Sequence, residues 1–166
     1  MNRRCRWHDY HDRAVYMLTL TVKGRQRLLC SVSGTPEAPV VTPTALGNAV
    51  TDAWRAIDSH YPGVEHWLMQ LMPDHLHGMV FFTKRLPFDL GHVVNGFKIA
   101  CNKACRALGL PAGLWDAGYH DRLLLHDNQL ARMRGYIRDN PRRLLRRRER
   151  PDLFEVRHHL AAAGMD

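Results

Sequence analysis

The stretch Leu71-Met72-Pro73-Asp74-His75-Leu76-His77-Gly78-Met79-Val80-Phe81-Phe82 constrains this chain more than any other. Pro73-Asp74 reads as a turn. The apolar run behind it predicts a strand over 75–82, with 64–72 as its antiparallel partner. Successive strand side chains alternate between faces, so His75 and His77 share one face and Leu76 takes the other. Two neutral imidazoles side by side on a rigid strand make a good pair of metal ligands. Two rarely suffice, so the spacing asks for a third ligand from elsewhere. Taken alone, His-x-His is as readily a pair of partly exposed strand histidines. Its weight comes from Tyr136 and Asn140 further along the chain.

The chain before this hairpin predicts a strand over 14–22, rich in β-branched and aromatic residues. Lys23-Gly24-Arg25 reads as a turn, 28–32 as a short returning partner strand, and 33–43, with its glycine and three prolines, as a loop. Thr42-Pro43 then looks like an N-cap followed by the first helical residue. Leu46, Val50, Ala53, Trp54, Ile57 and Tyr61 recur at helical spacing, which predicts a core-facing helix closed by Pro62-Gly63. After the histidine hairpin a second helix is expected over 87–108. A strand follows over 120–125, and then a third helix over about 128–140, capped by Asp127 and ended or kinked by Pro141, with a further short helix over 142–150. Stripped of the short hairpin insert, the order is β-α-β-β-α-β. The fold class is α+β: a ferredoxin-like antiparallel sheet with helices on one face, plus a C-terminal helix.

At 166 residues the chain is long enough for one domain with a real core. The expected organisation is a basic arm over 1–13, one domain over 14–145 and a basic tail over 146–166. The four cysteines form no Cys-x-x-Cys pair, which argues against a zinc ribbon or a thioredoxin-like site. Cys101 and Cys105 read as small core residues of a helix. No transmembrane stretch and no signal core is visible, so a cytoplasmic protein without a membrane partner is the expectation. The net charge is +8, and it is focused: between Arg134 and Arg150 eight arginines stand against two acidic residues. That concentration favours a polyanion, most often nucleic acid, over a merely solvated tail. Lys98, Lys103 and Arg106 on the polar side of the second helix form a face equally suited to phosphate or to solvent.

Tyr136 and Asn140 are four apart on the third helix and therefore on one side of it. A tyrosine that attacks phosphorus forms a covalent ester that conserves bond energy, so the step is reversible. Asn140 offers a carbonyl oxygen as a third ligand. A site with few anionic ligands leaves the charge of a divalent ion uncancelled, which suits an anionic substrate. The plainer reading of Tyr136 is a half-buried helical aromatic.

The segments Leu71–His77 and Tyr136-Ile137-Arg138-Asp139-Asn140-Pro141 resemble the two signatures of the single-tyrosine HUH transposases, most of all the REP-associated tyrosine transposases and their insertion-sequence relatives. The segment Leu114–Asp121 looks like the family's Trp-containing lead into the last strand, and His8-Asp9-Tyr10 with Tyr16–Thr19 resembles the lead into the first. The likeness spans roughly residues 8–145. It implies a ferredoxin-like fold and a magnesium or manganese ion held by His75, His77 and Asn140, with Tyr136 as nucleophile. The implied substrate is single-stranded or hairpin DNA, cut to leave a 5′-phosphotyrosine and a free 3′-hydroxyl. The expected DNA-binding side chains are Lys98, Lys103, Arg106, Arg138, Arg142, Arg143, Arg146 and Arg147, on a nucleoid-associated protein. Insertion-sequence relatives work as homodimers with shared sites and REP-associated ones can be monomeric, so the resemblance leaves both a homodimer and a monomer open. The chain departs from the pattern at Asp74, where the family usually has Asn, and at Arg122 and Leu125, where many members carry His and Arg.

Two other functions fit parts of the pattern. A non-catalytic DNA-binding regulator on the same fold needs the basic surface but not the tyrosine. A water-attacking metal-dependent phosphodiesterase needs further His or Asp ligands, which Gly78, Met79 and Val80 do not supply.

Overall fold

A computed structural model describes residue 5 and residues 7–151; residues 1–4, 6 and 152–166, and with them much of the expected arm and tail, lie outside the described residues. The elements run β1 (Ala14–Thr21), a 3-10 turn (Lys23–Arg25), β2 (Cys30–Gly34), β3 (Pro39–Pro43), α1 (Ala45–Arg55), α2 (Ile57–His60), β4 (Val64–Met72), β5 (His75–Phe82), α3 (Leu90–Ala107), β6 (His120–Leu124) and α4 (Asp127–Glu149). The strands β4, β5, β1 and β6 pair in that order into one antiparallel sheet. This is the expected ferredoxin-like α+β order.

Strand alternation divides the side chains between two layers. Tyr16, Leu18 and Leu20 of β1 and Leu76, Val80 and Phe82 of β5 are buried in one cluster with Val50 and Trp54 of α1 and Leu90, Phe97 and Cys101 of α3. Gly78 lies on the same face of β5, where an added Cβ would overlap the Trp54 indole, so only glycine lets the helix approach this closely. Cys30, Cys101 and Cys105 are free and buried, the last two as the small helical core residues expected of them. The alternate set, Met17 of β1, Met79 of β5 and Leu124 of β6, meets Ile137 of α4 on the opposite face. The helix that bears Tyr136 thus covers the side of the sheet that α1 and α3 leave open.

The structure corrects several local expectations. The segment expected to return along β1 instead pairs with β3 in a separate two-stranded sheet, Cys30 opposite Pro43. The presumed loop therefore contains a strand, its prolines at strand ends where no ladder hydrogen bond is lost. With Pro43 used in that strand, the helix starts later: Thr44 is the N-cap, its hydroxyl oxygen accepting from the Gly47 amide at 3.0 Å. Asp127 is not the cap of α4; His126 holds that position without a side-chain bond, and Asp127 sits in the first turn, where its charge complements the helix dipole.

Pro141 does not end α4, which runs on as one helix through Glu149 and so across the expected boundary at 145/146. An internal proline costs a helix about 3 kcal/mol. Here Ile137, Asn140, Pro141 and Leu145 are all buried, and that burial offsets the missing hydrogen bond. Among the described residues no helix is long and apolar enough to cross a membrane.

Candidate active site

The Pro73-Asp74 turn is tied to the connection after β1: the Val22 amide donates to Asp74 O at 2.8 Å and the Leu29 amide to Pro73 O at 3.1 Å. This fixes the strand end from which the two histidines project. Their rings stand edge to face with centroids 4.8 Å apart, as neighbours on one face of β5 should. His77 lies opposite Thr19 in the β1–β5 ladder, and its Nδ1 is 2.8 Å from Thr19 Oγ1. His75 Nδ1 is 2.7 Å from Asp74 Oδ1. Protons held on the two Nδ1 atoms and donated to these oxygens leave the Nε2 lone pairs available to a metal.

Asp74 therefore does more than shape the turn. Its second oxygen accepts from Arg25 Nη1 at 3.4 Å. Burial works to raise the Asp74 carboxyl, but the His75 hydrogen bond and the Arg25 guanidinium outweigh it and hold the group below the usual carboxylate range. Burial, and then the neighbouring His75, push the His77 imidazole down to about 4. Both effects favour the ligand forms, a neutral imidazole and an ionised orienting carboxylate, at neutral pH.

The third helix supplies the other parts. Tyr136 packs against His77 with ring centroids 5.4 Å apart, and the Arg143 guanidinium lies 5.1 Å from the Tyr136 ring centre on the helix's own face. Asn140 is buried, and its Nδ2 donates to Tyr136 O at 2.8 Å, which leaves Oδ1 free to act as a ligand. His75, His77, Tyr136 and Asn140 line one cleft of about 260 Å³, all from a single chain. Among the described residues no group of three or more His, Cys, Asp or Glu side chains could hold a metal, so a third donor beside the two imidazoles would have to be of another residue type, as the Asn140 amide is. Two imidazoles, one amide oxygen and open positions fit a divalent ion that keeps an anionic ligand.

No protein-family model matches the chain. An uncharacterized protein of Haemophilus influenzae is 22% identical over 158 residues, covering 83% of this chain and 86% of its own length. The solved structure of a REP-associated tyrosine transposase bound to a REP hairpin superposes with a TM-score of 0.62 at 16% identity, over 85% of this chain and 73% of that one. A candidate transposase from Deinococcus radiodurans superposes with a TM-score of 0.50 at 19% identity, over 82% and 96% of the two chains. The chain has the fold of a tyrosine transposase.

On that fold the expected DNA-binding residues separate into groups. Arg143 and Arg147 line the cleft, because they follow Tyr136 by two and three helical turns on the same side. Arg138, Arg142 and Arg146 point elsewhere on α4, and Arg142 faces Asp139 at 3.8 Å. Lys98, Lys103 and Arg106 belong to α3, on the sheet face away from the histidines. The Lys98 ammonium is spent on three carbonyls, Asp116 O at 2.7 Å, Ala117 O at 3.1 Å and Gly118 O at 2.8 Å, and so fastens the loop before β6.

Three cleft residues escaped the sequence reading. Thr19 carried a faint signal, since Thr19 and Thr21 interrupt an apolar strand at alternate positions. His120, which also lines the cleft, pairs with Thr19 across β1 and β6, a register that strand patterning alone does not fix. Arg25 gave no signal. It is the one non-glycine with positive φ among the described residues, at 55°, a conformation only the folded turn imposes.

Proposed function

We propose that the protein is a metal-dependent single-strand DNA endonuclease and strand transferase, a transposase that acts through a covalent link from Tyr136. The observation that carries this reading is the contact of Tyr136 with His77 in one cleft with His75 and Asn140. That arrangement lies on a fold shared with a transposase solved on a REP hairpin.

His75 and His77 would hold magnesium or manganese through Nε2, with Asn140 Oδ1 as the third ligand. A bound ion would supply Lewis-acid polarisation of the scissile phosphate. Asp74 and Thr19 orient the two imidazoles through Nδ1. The Tyr136 hydroxyl attacks phosphorus: a phenolic O–P bond forms, the bond to the 3′ oxygen breaks, and that oxygen leaves as a 3′-hydroxyl after gaining a proton. The phosphodiester-level ester on tyrosine keeps the energy needed to rejoin the strand. Arg143 and Arg147 line the same cleft and suit the DNA phosphates around the reacting one. One chain supplies every group named, so the reading requires no partner subunit. On this reading the protein acts in the cytoplasm, at the nucleoid.

The test is a denaturing gel with an end-labelled hairpin oligonucleotide flanked by single strand, with magnesium or manganese present. Wild type should yield a nick and a protein–DNA adduct. Tyr136→Phe should bind the hairpin normally and yield neither. An adduct that persists in Tyr136→Phe refutes the nucleophile. Hairpin binding without nicking by wild type would turn the reading to a DNA-binding regulator.

A further inference from the structure

Beside the cleft described above, and opening from it, lies a second one of about 390 Å³ between α4 and β6. It shares Thr19, His77, His120 and Tyr136 with the first, so anything in it lies next to the tyrosine. Its floor differs in kind. Met17 of β1 and Met133 of α4, one helical turn before Tyr136, present thioethers beside the tyrosine ring. Soft, polarizable sulfurs against an aromatic ring suit a flat unsaturated ligand and not a hydrated phosphate. The volume falls in the range of small-molecule pockets, roughly 300–1,000 Å³, with room for one nucleoside.

The hydrogen-bonding groups on the walls are mostly engaged. Thr19 Oγ1 is taken by His77, and Asp121 Oδ2 accepts from the Tyr10 hydroxyl at 2.8 Å. Arg122 stands opposite Met17 in the β1–β6 ladder, and its Nη1 rests 3.6 Å from Met133 Sδ. A thioether is a weak acceptor, so it steers this guanidinium without using up its capacity. An exposed planar fork of donors therefore stands at the edge of an apolar slot.

The geometry points to a pocket for one unpaired nucleobase that flanks the scissile phosphate, read by Arg122. The inference rests on the reading above, that a single DNA strand crosses this cleft. A fork of parallel donors selects a base with two adjacent acceptors. Guanine offers O6 and N7, and cytosine offers O2 and N3. Adenine and thymine alternate donors with acceptors along the same edges and leave one guanidinium N–H facing a donor or nothing.

The experiment uses the full chain with 13C-methyl-labelled methionine and four pentanucleotides, d(TTGTT), d(TTCTT), d(TTATT) and d(TTTTT), at one fixed salt concentration. The methyl signals of Met17 and Met133, assigned by single substitution, report occupancy independently of cleavage. Both should shift, and the guanine or the cytosine probe, or both, should bind about tenfold more tightly than the other two. Which of the two binds tells whether the O6/N7 or the O2/N3 edge is read. In Arg122→Lys, an exposed change that keeps the charge but loses the fork, the four affinities should converge. Equal affinities in wild type, an unaltered preference in Arg122→Lys, or methyl signals that stay still with every probe would each overturn the pocket. The adduct assay with Tyr136→Phe is scored separately. Equal affinities in wild type with adduct formation intact refute this inference alone, and base preference in wild type without any adduct refutes the nicking reading alone.

Discussion

Acidification should weaken the fold through His77 in particular. The ring is 6% exposed, bonded to Thr19 and packed between His75 and Tyr136. Its pKa falls from an ordinary 6.5 to about 4 in the folded protein, because burial and then the adjacent His75 disfavour the charged form. Between those values the unfolded chain takes up a proton at this position and the folded protein does not. The stabilisation is therefore complete above pH 6.5 and is lost as the pH falls toward 4. At about 1.36 kcal/mol per pH unit, the loss relative to pH 8 is about 2 kcal/mol at pH 5 and roughly 3 kcal/mol at pH 4. Other groups titrate in the same range, so the measurement is a difference. Urea unfolding of wild type and of His77→Gln, which cannot titrate, is followed at pH 8 and pH 5 with chelator present. The stability gap between them should narrow or reverse by about 2 kcal/mol at the lower pH, about 1 M in urea midpoint for a protein of this size. A gap that stays constant within about 0.5 kcal/mol, the usual scatter of independent sites, would refute the buried neutral imidazole and with it the ligand-ready state of the site.

Two further outcomes follow from the packing. Gly78→Ala should destabilise the fold by about 1–3 kcal/mol, read by thermal or urea unfolding, because the new methyl overlaps the Trp54 indole; an unchanged midpoint would show that α1 can retreat. Replacing both Arg143 and Arg147 with Ala should flatten the log–log salt dependence of single-strand binding by about 1.4 units, at about 0.7 per phosphate contact on a single strand. The pair Arg138 and Arg146, outside the cleft, should change it less, and equal slopes for the two pairs would refute the division of α4 into a cleft side and an outer side.

Much of the candidate site's layout was legible because it rests on short-range periodicity. His75 and His77 share a strand face at period two, and Tyr136 and Asn140 share a helix side at period 3.6, so each pair is positioned by its own element. The same periodicity placed the ferredoxin-like order of elements. It failed where two local signals competed: Thr42-Pro43 and Thr44 are both plausible helix starts, and pairing of β2 with β3 chose the second. It failed again at Pro141, whose local preference to break a helix yields to the burial of Ile137 and Leu145 on either side.

The sequence by itself determined which residues could do chemistry together, since alternation and helical pitch are properties of single elements. Only the tertiary structure decided that the helix lies on the histidine face, because nothing local tells a C-terminal helix which side of the sheet is open. That choice follows from a long-range fact: α1 and α3 already cover one layer, and Met17, Met79 and Leu124 on the other require burial by Ile137. It also brought Asp74 and Arg25 to His75, Thr19 to His77, and Arg122 to the tyrosine's neighbouring pocket. These contacts depend on register and turn geometry between distant segments, which a one-dimensional pattern does not carry.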